Sequence, residues 1–145
     1  MPHKLSDKLY PVTSKFGMRM HPVHKTQRLH QGTDHAMPQG TSVKAVSDGI
    51  VKQANFNSKS YGGRVVIKHT TGKAKGFQTS YNHLSQINVK EGGYVSAGTE
   101  IGKSGGKRNT FGAGTSTGAH LHFEVTNPSG ILVDPETHWS IVEED

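Results

Sequence analysis

The tripeptide His120-Leu121-His122, set in Gly118-Ala119-His120-Leu121-His122-Phe123-Glu124-Val125, holds the residues of this chain best suited to chemistry. Along a β-strand successive side chains point to opposite faces, so His120, His122 and Glu124 share one face and Leu121, Phe123 and Val125 the other. The apolar face anchors the strand to a core, and the opposite face offers two imidazoles side by side. Neutral imidazole is the commonest protein metal ligand and a general acid or base near neutral pH, so one strand can supply a ligand and a base together. The plain alternative is a pair of solvated histidines, a spacing that chance produces easily in a chain with 10 His.

A second candidate is His30-Gln31-Gly32-Thr33-Asp34. On a straight strand its His and Asp would stand about 13 Å apart, too far for one ion. Gly32 permits a local bend that would bring them together. Joined by one His of the first motif, they make a His-Asp-His set, and three protein ligands with an open position are the pattern of catalytic zinc, whereas structural zinc is closed by four. The chain has no Cys, so disulfides, thiolate ligands and a cysteine nucleophile are excluded, and His and carboxylates must hold any metal.

The elements that must position these residues read as β. A length of 145 residues suits one domain, and 31% hydrophobic residues with 18 Gly and one Trp point to a loop-rich, mainly β protein with a thin core. Residues 43–54 read as two strands around Asp48-Gly49, a hairpin signal. Residues 64–69 put Val65 and Ile67 on one face. Residues 77–84 form another strand, on which alternation puts Tyr81 and His83 on one face. Residues 93–103 precede the histidine strand, and clear helix signals are absent. Gly40-Thr41-Ser42-Val43-Lys44-Ala45 is echoed by Gly92-Gly93-Tyr94-Val95-Ser96-Ala97, a turn-plus-strand unit like that of β-sandwich hybrid folds. No Lys stands in the hairpin-tip motif that lipoyl and biotinyl carriers modify. The Gly/Ser/Thr-rich stretch 102–118 is either a disordered surface loop or a wall beside the site. Ala97-Gly98-Thr99-Glu100-Ile101-Gly102-Lys103-Ser104 loosely imitates a phosphate loop, but Ser104-Gly105-Gly106 cannot begin the helix that motif needs.

A net charge of +6 and a pI near 9.6 favour anionic surroundings. The cations are scattered and only Lys103, Lys107 and Arg108 cluster, so nucleic acid is not expected as a partner. No apolar run reaches the length of a membrane span, and the first residues lack the apolar stretch of a signal peptide.

Taken together, these motifs resemble the lysostaphin-type zinc endopeptidases, which cut peptide bonds in bacterial peptidoglycan. The likeness runs from about Thr13 to Asp134-Pro135. It takes in Ser14-Lys15-Phe16-Gly17-Met18-Arg19-Met20-His21-Pro22, the His30 to Asp34 motif, residues 40–49, Tyr81-Asn82-His83-Leu84 and the His120 strand. The resemblance implies a single mainly β domain, an antiparallel sheet or sandwich with a duplicated hybrid motif and a substrate groove walled by loops. On it, residues 1–12 are an N-terminal extension, 13–138 the catalytic domain and 139–145 a tail. It implies one zinc ion held by His30, Asp34 and His122, with His83 and His120 as catalytic histidines that are not ligands. The substrate would be a peptidoglycan peptide, attacked by a monomer in the cell wall or periplasm, as a bacterial enzyme, phage lysin or excised domain.

Other residues carry weaker expectations. Glu124 would orient an imidazole, meet substrate or be a solvated strand carboxylate. Tyr81 would contact substrate or pack beside His83, and Arg19 would bind a substrate carboxylate or serve in an ion pair. His35 should point away from Asp34, and His3, His21, His24, His69 and His138 read as surface, turn or terminal residues. Two rivals remain: a non-catalytic wall-binding module, which would be expected to lose ligands, and a zinc D,D-carboxypeptidase of another fold, whose first His and Asp lie further apart.

Overall fold

The computed structural model describes residues 5, 12–20, 27–116 and 118–136, and for 18–20 and 27–29 it describes the backbone. Its strands are β1 (Val12–Ser14), β2 (Gly17–Met20), β3 (Gln27–His30), β4 (Thr33–Ala36), β5 (Ser42–Lys44), β6 (Gly49–Ser58), β7 (Gly62–His69), β8 (Gln78–Ile87), β9 (Tyr94–Val95), β10 (Glu100–Ser104), β11 (His120–Thr126) and β12 (Leu132–Val133). A 3-10 turn spans Gly72–Ala74, and among the described residues no helix is long and apolar enough to cross a membrane.

One antiparallel sheet dominates, in the order β1-β4-β11-β8-β7-β6-β9, with β12 beside β11 and β10 joining β8 to β5; β2 and β3 pair separately. Alternation works as expected on its central strands. Val65 and Ile67 of β7, Tyr81 of β8 and Leu121, Phe123 and Val125 of β11 are buried on one face. They pack with Val43, Val51 and Ile101 from β5, β6 and β10 in a single core. Each fully buried Leu, Ile or Val contributes about 1.5–3 kcal/mol, so the thin apolar content is concentrated where it holds β11 flat. Leu5, inside the expected extension, is also a core residue, and its carbonyl accepts the Lys44 N–H at 2.8 Å.

Two expectations need correction. The 43–54 segment is no hairpin: β5 pairs with β10, while β6 pairs with β7 and β9. The Asp48 carboxylate instead accepts the Ala97 N–H at 2.7 Å and ties this turn to the end of β9. His69 is not a surface residue. It is 1% exposed at the end of β7, bonded to the Asp48 carbonyl at 3.1 Å and to Thr79 Oγ1 at 2.7 Å. The repeated unit does recur in space: Gly40 (φ +89°) and Gly92 (φ +85°) each make a turn that sends a valine, Val43 and Val95, into the core.

Candidate metal centre

β4 lies antiparallel to β11 with His122 opposite Asp34. The bend that precedes β4 runs so close to β11 that a Cβ on Gly32 would stand 2.2 Å from the Phe123 carbonyl oxygen and 2.9 Å from Glu124 Cγ. Glycine is required there for close approach more than for dihedral freedom. The bend brings His30 Nε2 to 3.3 Å from Asp34 Oδ2. From β11, His122 Nδ1 stands 2.8 Å and His120 Nε2 3.5 Å from Asp34 Oδ1.

Each imidazole around Asp34 has its other nitrogen engaged. His30 Nδ1–H donates to the Lys15 carbonyl at 2.7 Å, His83 Nδ1–H to the Ala113 carbonyl at 2.8 Å, and His120 Nδ1–H to the Gly118 carbonyl at 2.7 Å. His122 Nε2–H donates to Glu124 Oε2 at 2.9 Å. A carbonyl can only accept, so these contacts fix the tautomer and leave Nε2 of His30, His83 and His120 as the basic nitrogen. On His122 the nitrogen left for a ligand bond is Nδ1.

His83 reaches this cluster by a departure from strand geometry. Tyr81 and His83 should share a face, yet Tyr81 is fully buried in the core while the His83 ring lies 4.9 Å from His120 and 6.1 Å from His122. His83 has φ +65°, and the register with β7 jumps from Arg64↔Asn82 to Gly63↔Leu84, so His83 is the extra residue of a β-bulge. A bulge re-aims one side chain and resets the alternation, which returns Leu84 to the core. The left-handed region is tolerated by His more than by most residues. Tyr81, expected near substrate, has no surface to offer one: it packs 5.4 Å from Phe123, and its hydroxyl accepts the Val46 N–H at 3.1 Å.

The Gly/Ser/Thr stretch is a packed wall. Ala113 is 1% exposed, and the loop is tied to the β6–β7 turn by Gly63 N–H to Gly112 O and Thr115 N–H to Ser60 O, both 3.0 Å. Ser116 Oγ donates to the Gly106 carbonyl at 2.7 Å and stands 3.2 Å from His120 Nδ1. This single loop therefore supplies the acceptors for both His83 and His120.

Glu124 is not a solvated carboxylate. It is 3% exposed; Oε2 accepts from Tyr61 Oη at 2.7 Å as well as from His122, and Oε1 lies 3.7 Å from Arg64 Nη2. Arg64 stacks 4.1 Å over the Tyr61 ring and donates to Asn82 Oδ1 at 2.9 Å. Burial would raise the Glu124 carboxyl, but the bonds from His122 and Tyr61 and the nearby positive charges hold it below the usual range. Burial likewise opposes the Asp34 anion, and hydrogen bonds from His122 and His30 with the charges of His120 and His122 hold it well below an ordinary carboxylate. His122 answers the two carboxylates. Burial disfavours its charge, yet Asp34 and Glu124 lift it to about 9. His83 goes the other way, lowered to about 4 by burial and then by the charges of His120 and His122.

These donors fit a metal ion. His30, Asp34 and His122 each offer one ligand atom, all within 4.8 Å of one another. Four-coordinate zinc with bonds of about 2.0–2.1 Å separates its ligand atoms by about 3.3 Å; His30 Nε2 stands 3.3 Å from one Asp34 oxygen and His122 Nδ1 2.8 Å from the other. Glu124 behind His122 is the outer carboxylate that commonly accompanies a ligating histidine. His35 is fully buried away from the cluster, with Nε2 3.0 Å from Thr33 Oγ1. Arg19 lies in β2 opposite Arg28, and its side chain falls outside the described residues, as do His3, His21, His24 and His138. Sequence reasoning missed Tyr61 and Arg64. Arg64 had a signal, as the cation on the polar face of residues 64–69, but its alignment with Asn82 and His122 exists only across strands.

Comparison with known proteins follows this geometry. A profile of Peptidase family M23 matches residues 28–135. The chain is 44% identical over 116 residues to the DD-carboxypeptidase/endopeptidase Mpg of Neisseria meningitidis, covering 79% of this chain and 24% of that protein. It is 44% identical over 123 residues to the peptidoglycan DD-endopeptidase ShyA of Vibrio cholerae, covering 80% and 26%. The chain thus spans about a quarter of the length of these relatives. Among solved structures, the catalytic domain of lysostaphin from Staphylococcus simulans superposes with a TM-score of 0.70 at 30% identity, covering 90% of this chain and 92% of that one.

Proposed function

The chain belongs to peptidase family M23, and from that premise we propose that it hydrolyses peptide bonds in bacterial peptidoglycan with one zinc ion held by His30, Asp34 and His122. When bound, zinc supplies a Lewis acid that polarises a carbonyl and makes water acidic enough to be deprotonated near neutral pH. The protein's own residues do the rest. His83 and His120, each locked with Nε2 as its basic nitrogen, accept the proton of the attacking water and return one to the leaving amine. Their N–H forms, once charged, also steady the oxyanion that develops on the scissile carbonyl. Tyr61, Arg64 and Glu124 stand behind His122 and hold its ring. Arg19 remains a candidate for a substrate carboxylate.

The observation that carries this reading is the gathering of four imidazoles, three of them on Asp34, each held by a hydrogen bond at one nitrogen. A non-catalytic wall-binding module would have no use for two oriented basic histidines beside a three-ligand set. The named activities of the relatives favour the D-alanyl cross-link as the bond cut. One protomer carries every residue of the site, which supports action as a monomer. The net charge of +6 favours association with the anionic wall, outside the membrane or in the periplasm, and salt should weaken it.

The test is digestion of isolated cell walls with and without a chelator, with newly exposed amino groups identified by mass spectrometry. Release of D-alanyl cross-links that stops with chelator and in His122→Ala is expected. Undiminished release by either the chelated protein or the variant would overturn the zinc reading, and new amino groups on glycine would overturn the choice of bond.

A further inference from the structure

Phe111 is the only large apolar side chain of the loop 105–118, and it stands 70% exposed with its ring 4.6 Å from that of Phe56 on β6. The Phe56 ring lies against Gly63, whose N–H donates to the Gly112 carbonyl. One residue further, the Ala113 carbonyl takes the His83 Nδ1–H, and beyond it Ser116 and Gly118 hold His120. Apart from this ring contact, the bonds that join the loop to the β6–β7 turn among the described residues come from the loop's main chain and from Thr115, whose hydroxyl reaches the Ser60 carbonyl at 3.2 Å. A chain so rich in glycine loses much entropy on closing, and hydrogen bonds that water can replace offset little of it. The aromatic pair and the buried Ala113 methyl are the contacts that water does not replace.

We propose that Phe111, latched on Phe56, is a positioning residue: it keeps the loop closed so that the Ala113 and Gly118 carbonyls orient His83 and His120 together. The inference rests on the reading that these two histidines handle protons in peptide hydrolysis, but the latch itself is measurable without substrate. An aromatic pair of this kind is worth a factor of about 2 to 12 in a closing equilibrium.

Hydrogen exchange by NMR on Phe111→Ala reads that factor directly. The amides of Gly63 and Thr115, which bond across the closure, should exchange about 2- to 12-fold faster, while those of Val65 and Ile67 in β7 should not change. The hydrogen-bonded Nδ1–H signals of His83 and His120 should broaden together. In wall digestion kcat should fall, by no more than that same factor, with KM and zinc affinity unchanged, and Phe111→Tyr should restore both readouts. Phe56→Leu, which keeps apolar volume but removes the ring, should match Phe111→Ala. Unchanged exchange in Phe111→Ala would overturn the proposal. So would a rise in KM alone with kcat intact, which would make the exposed ring a substrate-docking surface. If the wild-type protein cuts no wall, the proposed function fails, and the exchange and imidazole signals still decide the latch.

Discussion

Replacing Gly32 by alanine adds one methyl group to the bend between two candidate ligands, and its consequence can be worked from the coordinates. The new Cβ would stand 2.2 Å from the Phe123 carbonyl oxygen, whereas real Cβ contacts stay above 3.0 Å. The obstacle is main chain in a paired strand, so no side chain can turn aside; β4 and β11 must part by about 1 Å in an interior packed as densely as a crystal. Overpacking of this kind costs about 1–3 kcal/mol. For a domain of this size that lowers Tm by roughly 2–12 °C. The same parting separates Asp34 on β4 from His122 on β11, which now stand 2.8 Å apart. Zinc affinity should then fall about 10- to 100-fold, the scale of disturbed support around a metal ligand. Calorimetry of the metal-free protein gives the first number and competition with a chromophoric chelator the second. A Gly32→Ala protein that melts and binds zinc like the wild type would refute both the close approach of β4 to β11 and the metal set built on it.

Three further outcomes follow from the site. His83→Asn should fold with near wild-type Tm because Asn accepts the left-handed region, whereas His83→Val should lose about 1–3 kcal/mol on thermal melting; neither should cut peptide, and equal stability of the two would deny the bulge. Glu124→Ala should weaken zinc binding about 10- to 100-fold by chelator competition, and Glu124→Gln, which keeps an acceptor oxygen for His122, should lose less; identical losses would deny the hydrogen bond its role. In the metal-free protein His122 is raised to about 9, so its proton is bound at pH 7 and zinc uptake should release about one proton there, measured by calorimetry in buffers of different ionisation heat. A raised folded pKa contributes stability that is full below the unfolded value of about 6.5 and is lost as pH rises through about 9, so the Tm of the chelated protein should fall across that window. A release that stays at one proton above pH 10 would contradict this assignment.

Alternation made the β11 strand legible: two imidazoles and Glu124 on one face, three apolar residues on the other, although His122 and Glu124 are buried as well. It also gave the apolar face of β7. The same rule failed on β8, because a bulge is decided by what the neighbouring strand offers and leaves no mark on its own residues. Asp48-Gly49 signals a turn correctly, but Val43 and Lys44 find their partner in β10, more than fifty residues away, so a local turn did not make a hairpin. His69 looked superficial because its partners, a carbonyl at Asp48 in the turn before β6 and the Thr79 hydroxyl on β8, are distant in sequence. The Gly-rich loop was ambiguous for a similar reason. Its contribution is made by carbonyl oxygens, which every residue possesses, so no residue type could have announced it.

The pairing of β4 with β11 joins residues about 88 positions apart, and His122 meets Asp34 only through it. Contacts so distant along the chain form late, since closing such a loop costs entropy before any contact offsets it. A chain emerging from the ribosome carries His30 and Asp34 long before the strand that completes the cluster. A growing or half-folded polypeptide therefore has neither the third donor nor the oriented bases. Completion of the fold and assembly of the cluster thus arrive as one event.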